Sequence, residues 1–138
     1  MKIFCISIYN KNFNNFKNLK LIPVGLGKAK FDKKWLNDKG EKNISRKNSH
    51  FGEYTFHYKL WKKNLINKNY NNWISFCTYR RFWTTKEYKN IKSFNQLNKV
   101  IIKHPQKKWR NCDVVLGRPL IFKKIKNMKL IKRNFFEI

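Results

Sequence analysis

Two short apolar runs constrain this chain more than any other feature. Ile3-Phe4-Cys5-Ile6-Ser7-Ile8-Tyr9 and Trp73-Ile74-Ser75-Phe76-Cys77-Thr78-Tyr79 are rich in β-branched and aromatic residues and are apolar or small at odd and even positions alike. A strand with one wet face alternates apolar and polar residues. These runs do not, so they read as strands covered on both faces, as in a parallel sheet held between helices.

The rest of the pattern agrees with that class. Asn48 or Ser49 caps a helix expected from about 50 to 65, with Phe51, Tyr54, Tyr58, Trp61 and Leu65 at three- and four-residue spacing and Glu53 in its first turn. A second helix starts from Ser93 and carries Phe94, Leu97, Val100 and Ile101, with Pro105 as a stop. Cys112-Asp113-Val114-Val115-Leu116 reads as a further strand closed by Gly117-Arg118-Pro119, and a last helix is expected near 124–133. Between Asn10 and Asn48 the pattern is irregular, broken by Pro23, Gly25, Gly27 and Gly40, and reads as a long loop region. The order predicts an α/β domain with a mostly parallel sheet and flanking helices. In such folds the ligand crevice lies at the carboxyl ends of the strands.

A length of 138 residues fits one domain, and an apolar content of 41% is enough for a core. The 33 basic residues against 7 acidic ones give a net charge of +26, the electrostatic footprint of a nucleic-acid or anionic-membrane binder. Most of that excess is Lys accompanied by Asn, Ile and Phe, a mixture that codon bias in an AT-rich genome also produces. Arg is scarce and more informative. Arg80, Arg81 and Arg118 each follow an expected strand, where a guanidinium fork grips phosphate or carboxylate in a bidentate way that Lys does not.

Cys5, Cys77 and Cys112 have no CxxC spacing and read as buried free thiols of a reducing compartment. No run approaches the ~18 apolar residues of a membrane span, so the expected location is cytoplasmic, with peripheral attachment to the inner membrane left open. Asp38, Glu41, Glu53 and Asp113 are the candidate bases or hydroxyl acceptors, Glu53 and Asp113 foremost. There is no DxD pair for a divalent cation, His50, His57 and His104 are not spaced as metal ligands, and no cofactor is called for.

In order along the chain, Met1-Lys2-Ile3-Phe4, Ile22-Pro23-Val24-Gly25-Leu26-Gly27, Asn43-Ile44-Ser45-Arg46-Lys47-Asn48 leading into Phe51-Gly52-Glu53-Tyr54, and Trp73 through Trp83 with Tyr79-Arg80-Arg81 resemble an uncharacterised, glycosyltransferase-like domain family of capsular and exopolysaccharide biosynthesis proteins. The resemblance covers roughly residues 1–118. It implies a nucleotide-diphospho-sugar transferase (GT-A-like) fold, a nucleotide-sugar donor, a glycan acceptor, and sugar transfer in surface-polysaccharide biosynthesis. The matching positions are Asn43, Ser45, Lys47, Asn48, Glu53, Tyr79, Arg80 and Arg81. Thr78 stands where that family often has His, and the chain is shorter than the family domain, so residues 1–138 are expected to form one truncated domain with a divergent 119–138 segment. The alternative is a basic, ribosome-associated RNA binder that stacks bases on Trp35, Trp83 or Trp109.

Overall fold

The computed structural model describes residues 1–63, 72–86, 88 and 90–117. It is a small α/β unit built on a three-stranded parallel sheet flanked by helices. Strand β1 (Lys2–Ser7) lies in the centre, with β2 (Ile22–Gly25) on one side and β3 (Ile74–Thr78) on the other. Phe4 pairs with Ile22 across one seam, and Cys5 pairs with Cys77 across the other.

Both faces of β1 are buried, as its lack of alternation requires. Ile3 and Cys5 point into a cluster with Phe16, Leu19, Leu21 and Leu97. Phe4 and Ile6 point the opposite way, against Val24, Leu26, Phe56 and Leu60. The first cluster is closed by α1 (Phe13–Asn18) and α4 (Phe94–Val100), the second by α3 (Tyr54–Lys62). Helix α4 begins as the sequence indicates: the Ser93 hydroxyl accepts the Gln96 amide at 3.2 Å, and the Gln96 side chain accepts the Lys92 amide at 2.8 Å, a variant of the capping box.

Several expectations are corrected. The region from Asn10 to Asn48 is not all loop, since it holds α1 and β2. Helix α1 ends on Lys20 at φ 60°, whose amide and that of Leu21 bond back to Lys17 and Phe16, a left-handed terminus made without glycine. Strand β2 tolerates Pro23 because its outer side meets only Leu36, whose amide donates to the Pro23 carbonyl at 3.0 Å. Gly25 admits no side chain, because a Cβ there would lie 2.3 Å from the Phe31 ring.

The helix expected over 50–65 is two helices, α2 (Asn48–Phe51) and α3, separated by Gly52 at φ 52°, ψ −127°, a conformation open to glycine. Its buried face is also different. Thr55, Phe56 and Leu60 point inward, while Phe51, Tyr54 and Trp61 are exposed. Leu65, Arg118 and the helix near 124–133 lie outside the described residues.

Cys112–Leu116 is not a strand: it is irregular, with Val114 and Leu116 exposed. Strand propensity needs a ladder partner, and the chain after β3 uses that edge itself. Thr78 and Arg81 exchange amide bonds at 3.1 Å, the Trp83 indole donates to the Phe76 carbonyl at 2.7 Å, and Thr84 bridges Ile101. Cys112 is correspondingly exposed, whereas Cys5 and Cys77 are buried. The hydrogen bond between these two thiols, and then burial, push the Cys77 thiol up, so it stays protonated and unreactive. No helix among the described residues is long and apolar enough to cross a membrane.

Candidate functional site

The connections out of β1 and into β3 run to opposite sides. From β1 the chain passes through α1 to β2, then crosses back over β1 to reach β3. A sheet that reverses its order in this way leaves a crevice at the carboxyl ends of the strands where the reversal occurs. Here that point lies between the ends of β1 and β3, where Tyr9 and Tyr79-Arg80-Arg81 emerge.

Each side chain there is positioned by the backbone beneath it. Buried Ser7 makes the exit turn of β1, donating its hydroxyl proton to the Tyr9 carbonyl at 2.8 Å and accepting the Tyr9 amide at 3.1 Å. The Tyr79 amide donates to the Ile6 carbonyl at 2.9 Å, which extends the β1–β3 ladder by one bond. Those two anchors bring the Tyr9 and Tyr79 rings edge to face at 5.2 Å, and the Arg80 guanidinium lies 5.1 Å from the centre of the Tyr79 ring. Desolvation raises the Tyr79 phenol; the Tyr9 phenol pushes the same way, and Arg80 opposes it. The phenol therefore remains a neutral hydrogen-bonding group at physiological pH.

Beside this point lies a cleft of about 540 Å³, lined by Arg80 and Arg81 together with Phe82, Tyr88, Phe94 and Leu97. Two guanidiniums at the rim of an aromatic and aliphatic floor suit a ligand that joins an anionic group to a flat or apolar one.

The second group of expected residues, Asn43 to Glu53, sits at the same edge of the sheet but makes bonds mostly within the protein. The Asn43 carboxamide oxygen accepts the Ser45 amide at 2.9 Å and its hydroxyl at 2.6 Å, forming a local turn. The Asn48 amide group donates to the Gly52 carbonyl at 2.8 Å and to the Thr55 hydroxyl at 3.0 Å. Its carboxamide oxygen lies close to Gly27, just beyond the end of β2. The Thr55 hydroxyl in turn donates to Asp38, a carboxylate 2% exposed, at 2.5 Å. Lys59 donates to the Asn37 carbonyl at 2.6 Å, and its ammonium is held below the usual lysine range by burial and then by Lys63, against the pull of Asp38. Asn48 and Asp38 thus fasten the loop to α3.

Lys47 and Glu53 are exposed at the start of α2 and α3. Glu53 occupies the position before α3 without a side-chain cap bond, and its charge opposes the burial that lowers the pKa of His57. Asp113 lies elsewhere, on a groove it shares with Met1, Trp73 and Trp109 on the amino-terminal side of the sheet. The structure therefore separates it from the arginine pair. Of the tryptophans of the RNA-binding alternative, Trp35 is 3% exposed, the Trp83 indole N–H donates to the Phe76 carbonyl, and Trp109 packs on Trp73 at 5.5 Å.

The sequence places Tyr9, with Asn10 and Lys11, at a strand end facing the expected crevice, but it does not single out Ser7. The signal lay in the position of Ser7, two residues before the end of the first strand run, at the end that a reversal in strand order makes functional.

The chain belongs to the DUF4422 family, described as a domain of unknown function, which matches residues 2–136. No curated protein and no solved structure matches the chain. The DUF4422 match spans both core clusters, the Asn43–Glu53 segment and the Tyr79-Arg80-Arg81 strand end.

Proposed function

We propose that this DUF4422 chain binds a nucleoside-diphosphate sugar at the carboxyl edge between β1 and β3 and transfers the sugar to a glycan acceptor in surface-polysaccharide biosynthesis, on a GT-A-like sheet. The observation that carries the reading is the convergence of Tyr9, Tyr79, Arg80 and Arg81 where the strand order reverses. Arg80 and Arg81 bind the diphosphate. Tyr79 contributes a neutral hydroxyl. Asn43 and Ser45 contribute hydrogen-bonding groups toward ribose or sugar hydroxyls.

In the transfer, the bond from the anomeric carbon to the diphosphate oxygen breaks and the nucleoside diphosphate leaves with the bonding electrons. An acceptor hydroxyl forms the new bond and gives up its proton. The arginine pair lowers the barrier by stabilising the charge that grows on the leaving oxygen. Asp38 is buried against Thr55, and exposed Glu53, at the start of α3, is the carboxylate assigned to take the proton.

Calorimetry with UDP-, GDP- and CMP-sugars tests the reading. Charge-assisted hydrogen bonds contribute about 1.5–3 kcal/mol each, so Arg80→Ala/Arg81→Ala should weaken binding of the preferred donor by roughly a hundred-fold or more. Equal binding by both proteins, or no binding by either, defeats it. Glu53→Gln should keep donor affinity and lower turnover by roughly 10²-fold.

A further inference from the structure

Helix α3 has two apolar faces, and only one of them is used by the fold. Thr55, Phe56 and Leu60 pack inward on the sheet, with Phe56 against Phe4 at 5.4 Å. On the opposite side, Tyr54, Tyr58 and Trp61 fall within an arc of about 60° at 100° per residue. Phe51, one helix earlier, joins them. Phe51 is 48% exposed, Tyr54 65% and Trp61 64%, and Tyr58 is half-buried beside Trp61 at a ring separation of 5.7 Å. A contiguous row of large aromatics in water has no folding rationale, and such patches mark contact with something else.

The chemistry of the row narrows the occupant. Its members are Phe, Tyr and Trp, side chains with an apolar body that in two of the three types ends in a polar tip, which suits the headgroup boundary of a bilayer. Cations frame it. Arg46 and Lys47 lie exposed before α2, and Lys62 and Lys63 lie exposed at the end of α3. The Lys62 ammonium sits 4.3 Å from the centre of the Trp61 ring and 5.8 Å from that of Tyr58, so charge and aromatic surface face outward together. Glu53 is the one acid between Ser45 and Lys63. The whole chain carries +26, which complements an anionic surface and disfavours a basic partner. We propose that the outer face of α2 and α3 is a membrane-docking surface, in which Phe51, Tyr54, Tyr58 and Trp61 enter the interface of an anionic bilayer while Lys62, Lys63, Arg46 and Lys47 meet lipid phosphates. Each lysine or arginine near such a surface contributes about 1 kcal/mol. The aromatic insertion distinguishes this surface from the diffuse attraction of any strongly basic protein.

That distinction defines the test, which is co-sedimentation with vesicles of phosphatidylcholine alone and of phosphatidylcholine with phosphatidylglycerol, at low salt and at 1 M salt, where screening acts over about 3 Å. The wild-type chain should prefer the anionic vesicles and retain part of its binding in high salt. Tyr54→Gln/Trp61→Gln, at positions that contribute nothing to the core, should keep its thermal midpoint and lose about ten-fold in high-salt binding. Vesicles carrying brominated lipid should quench emission from the wild type, and Trp61→Phe should still bind yet lose that quenching. The proposal is overturned by equal binding of the double variant and the wild type at both salts, since the adhesion is then charge alone. It is equally overturned by the absence of vesicle binding, by quenching that survives Trp61→Phe, or by a marked fall in the thermal midpoint of the double variant, which would mean that the chain itself covers these rings.

Discussion

Two polar regions of the molecule are built from similar groups and set at different depths. Where the loop before α2 docks on α3, Asp38, Asn48, Thr55, Lys59 and the Asn37 carbonyl are joined by hydrogen bonds inside the protein. At the ends of β1 and β3, backbone bonds hold Tyr9 and Tyr79 in place, while the guanidiniums of Arg80 and Arg81 border an open cleft. Residue type does not separate the two regions, because both are built from groups that recognise phosphates and sugars. Their burial does: a group held in a buried network stabilises the fold, and an exposed group bordering a cleft can meet a ligand.

The comparison breaks most visibly at Asp38. Its carboxylate is buried and accepts the Thr55 hydroxyl. Asp38→Ala takes a buried acceptor from the Thr55 hydroxyl and a stabilising negative charge from Lys59, and the expected cost is about 3 kcal/mol in urea unfolding. Donor affinity per folded molecule should not move. If Asp38→Ala abolished donor binding in a protein that still folds, the network would belong to the site and the contrast would fail. Thr55→Val is smaller, about 1–2 kcal/mol, because it keeps the volume and removes only the hydroxyl that joins Asn48 to Asp38.

How far these regions were legible in the sequence follows from the same physics. Strand β1 declared itself because burial on both faces removes polar residues from both parities of a short run; β3, where Cys77 is buried and its neighbours are partly buried, carries the same pattern, and Tyr79-Arg80-Arg81 followed from its position. Helix α4 was legible from Ser93 and the spacing of Phe94 and Leu97. Helix α1 was not, since it is short, rich in Asn and ended by Lys20 instead of a glycine. Strand β2 was hidden by Pro23, which an edge position tolerates. The face of α3 was misread because its aromatics recur at helical spacing on the exposed side, and periodicity cannot say which of two apolar faces meets the core. Cys112–Leu116 carried strand propensity without an edge to pair with. The commitment of Asn48 to Gly52 and Thr55 had no local signature, because the partners are set by how the loop docks on α3.

A pH dependence sharpens the boundary between the two regions at His57. This imidazole is half-buried, its ring centre 4.1 Å from that of Phe76, and its Nε2 has no hydrogen-bond partner among the described residues. Burial lowers its pKa from the usual histidine value, with Glu53 opposing. The unfolded chain therefore takes up this proton at a higher pH than the folded chain does. The contribution of His57 is fully present above the unfolded pKa of about 6.5 and is lost as pH falls through the lower folded value. His57→Phe preserves the ring against Phe76 and should flatten the acid side of the stability curve. An unchanged curve would show that burial does not control this group.

The smallest expected effect tests the other half of the contrast. Arg80 and Arg81 are both exposed, and exposed substitutions away from buried networks change stability by about 0.5 kcal/mol or less. Arg80 over the Tyr79 ring adds a cation–π contact of similar size at such a position. The Arg80→Ala/Arg81→Ala protein should therefore unfold within a degree or two of the wild type, roughly the shift that so small a change produces, while losing its donor. A large fall in the thermal midpoint would place the pair in the same class as Asp38, as groups that hold the fold together. The contrast survives only if the substitution that matters most for binding matters least for stability.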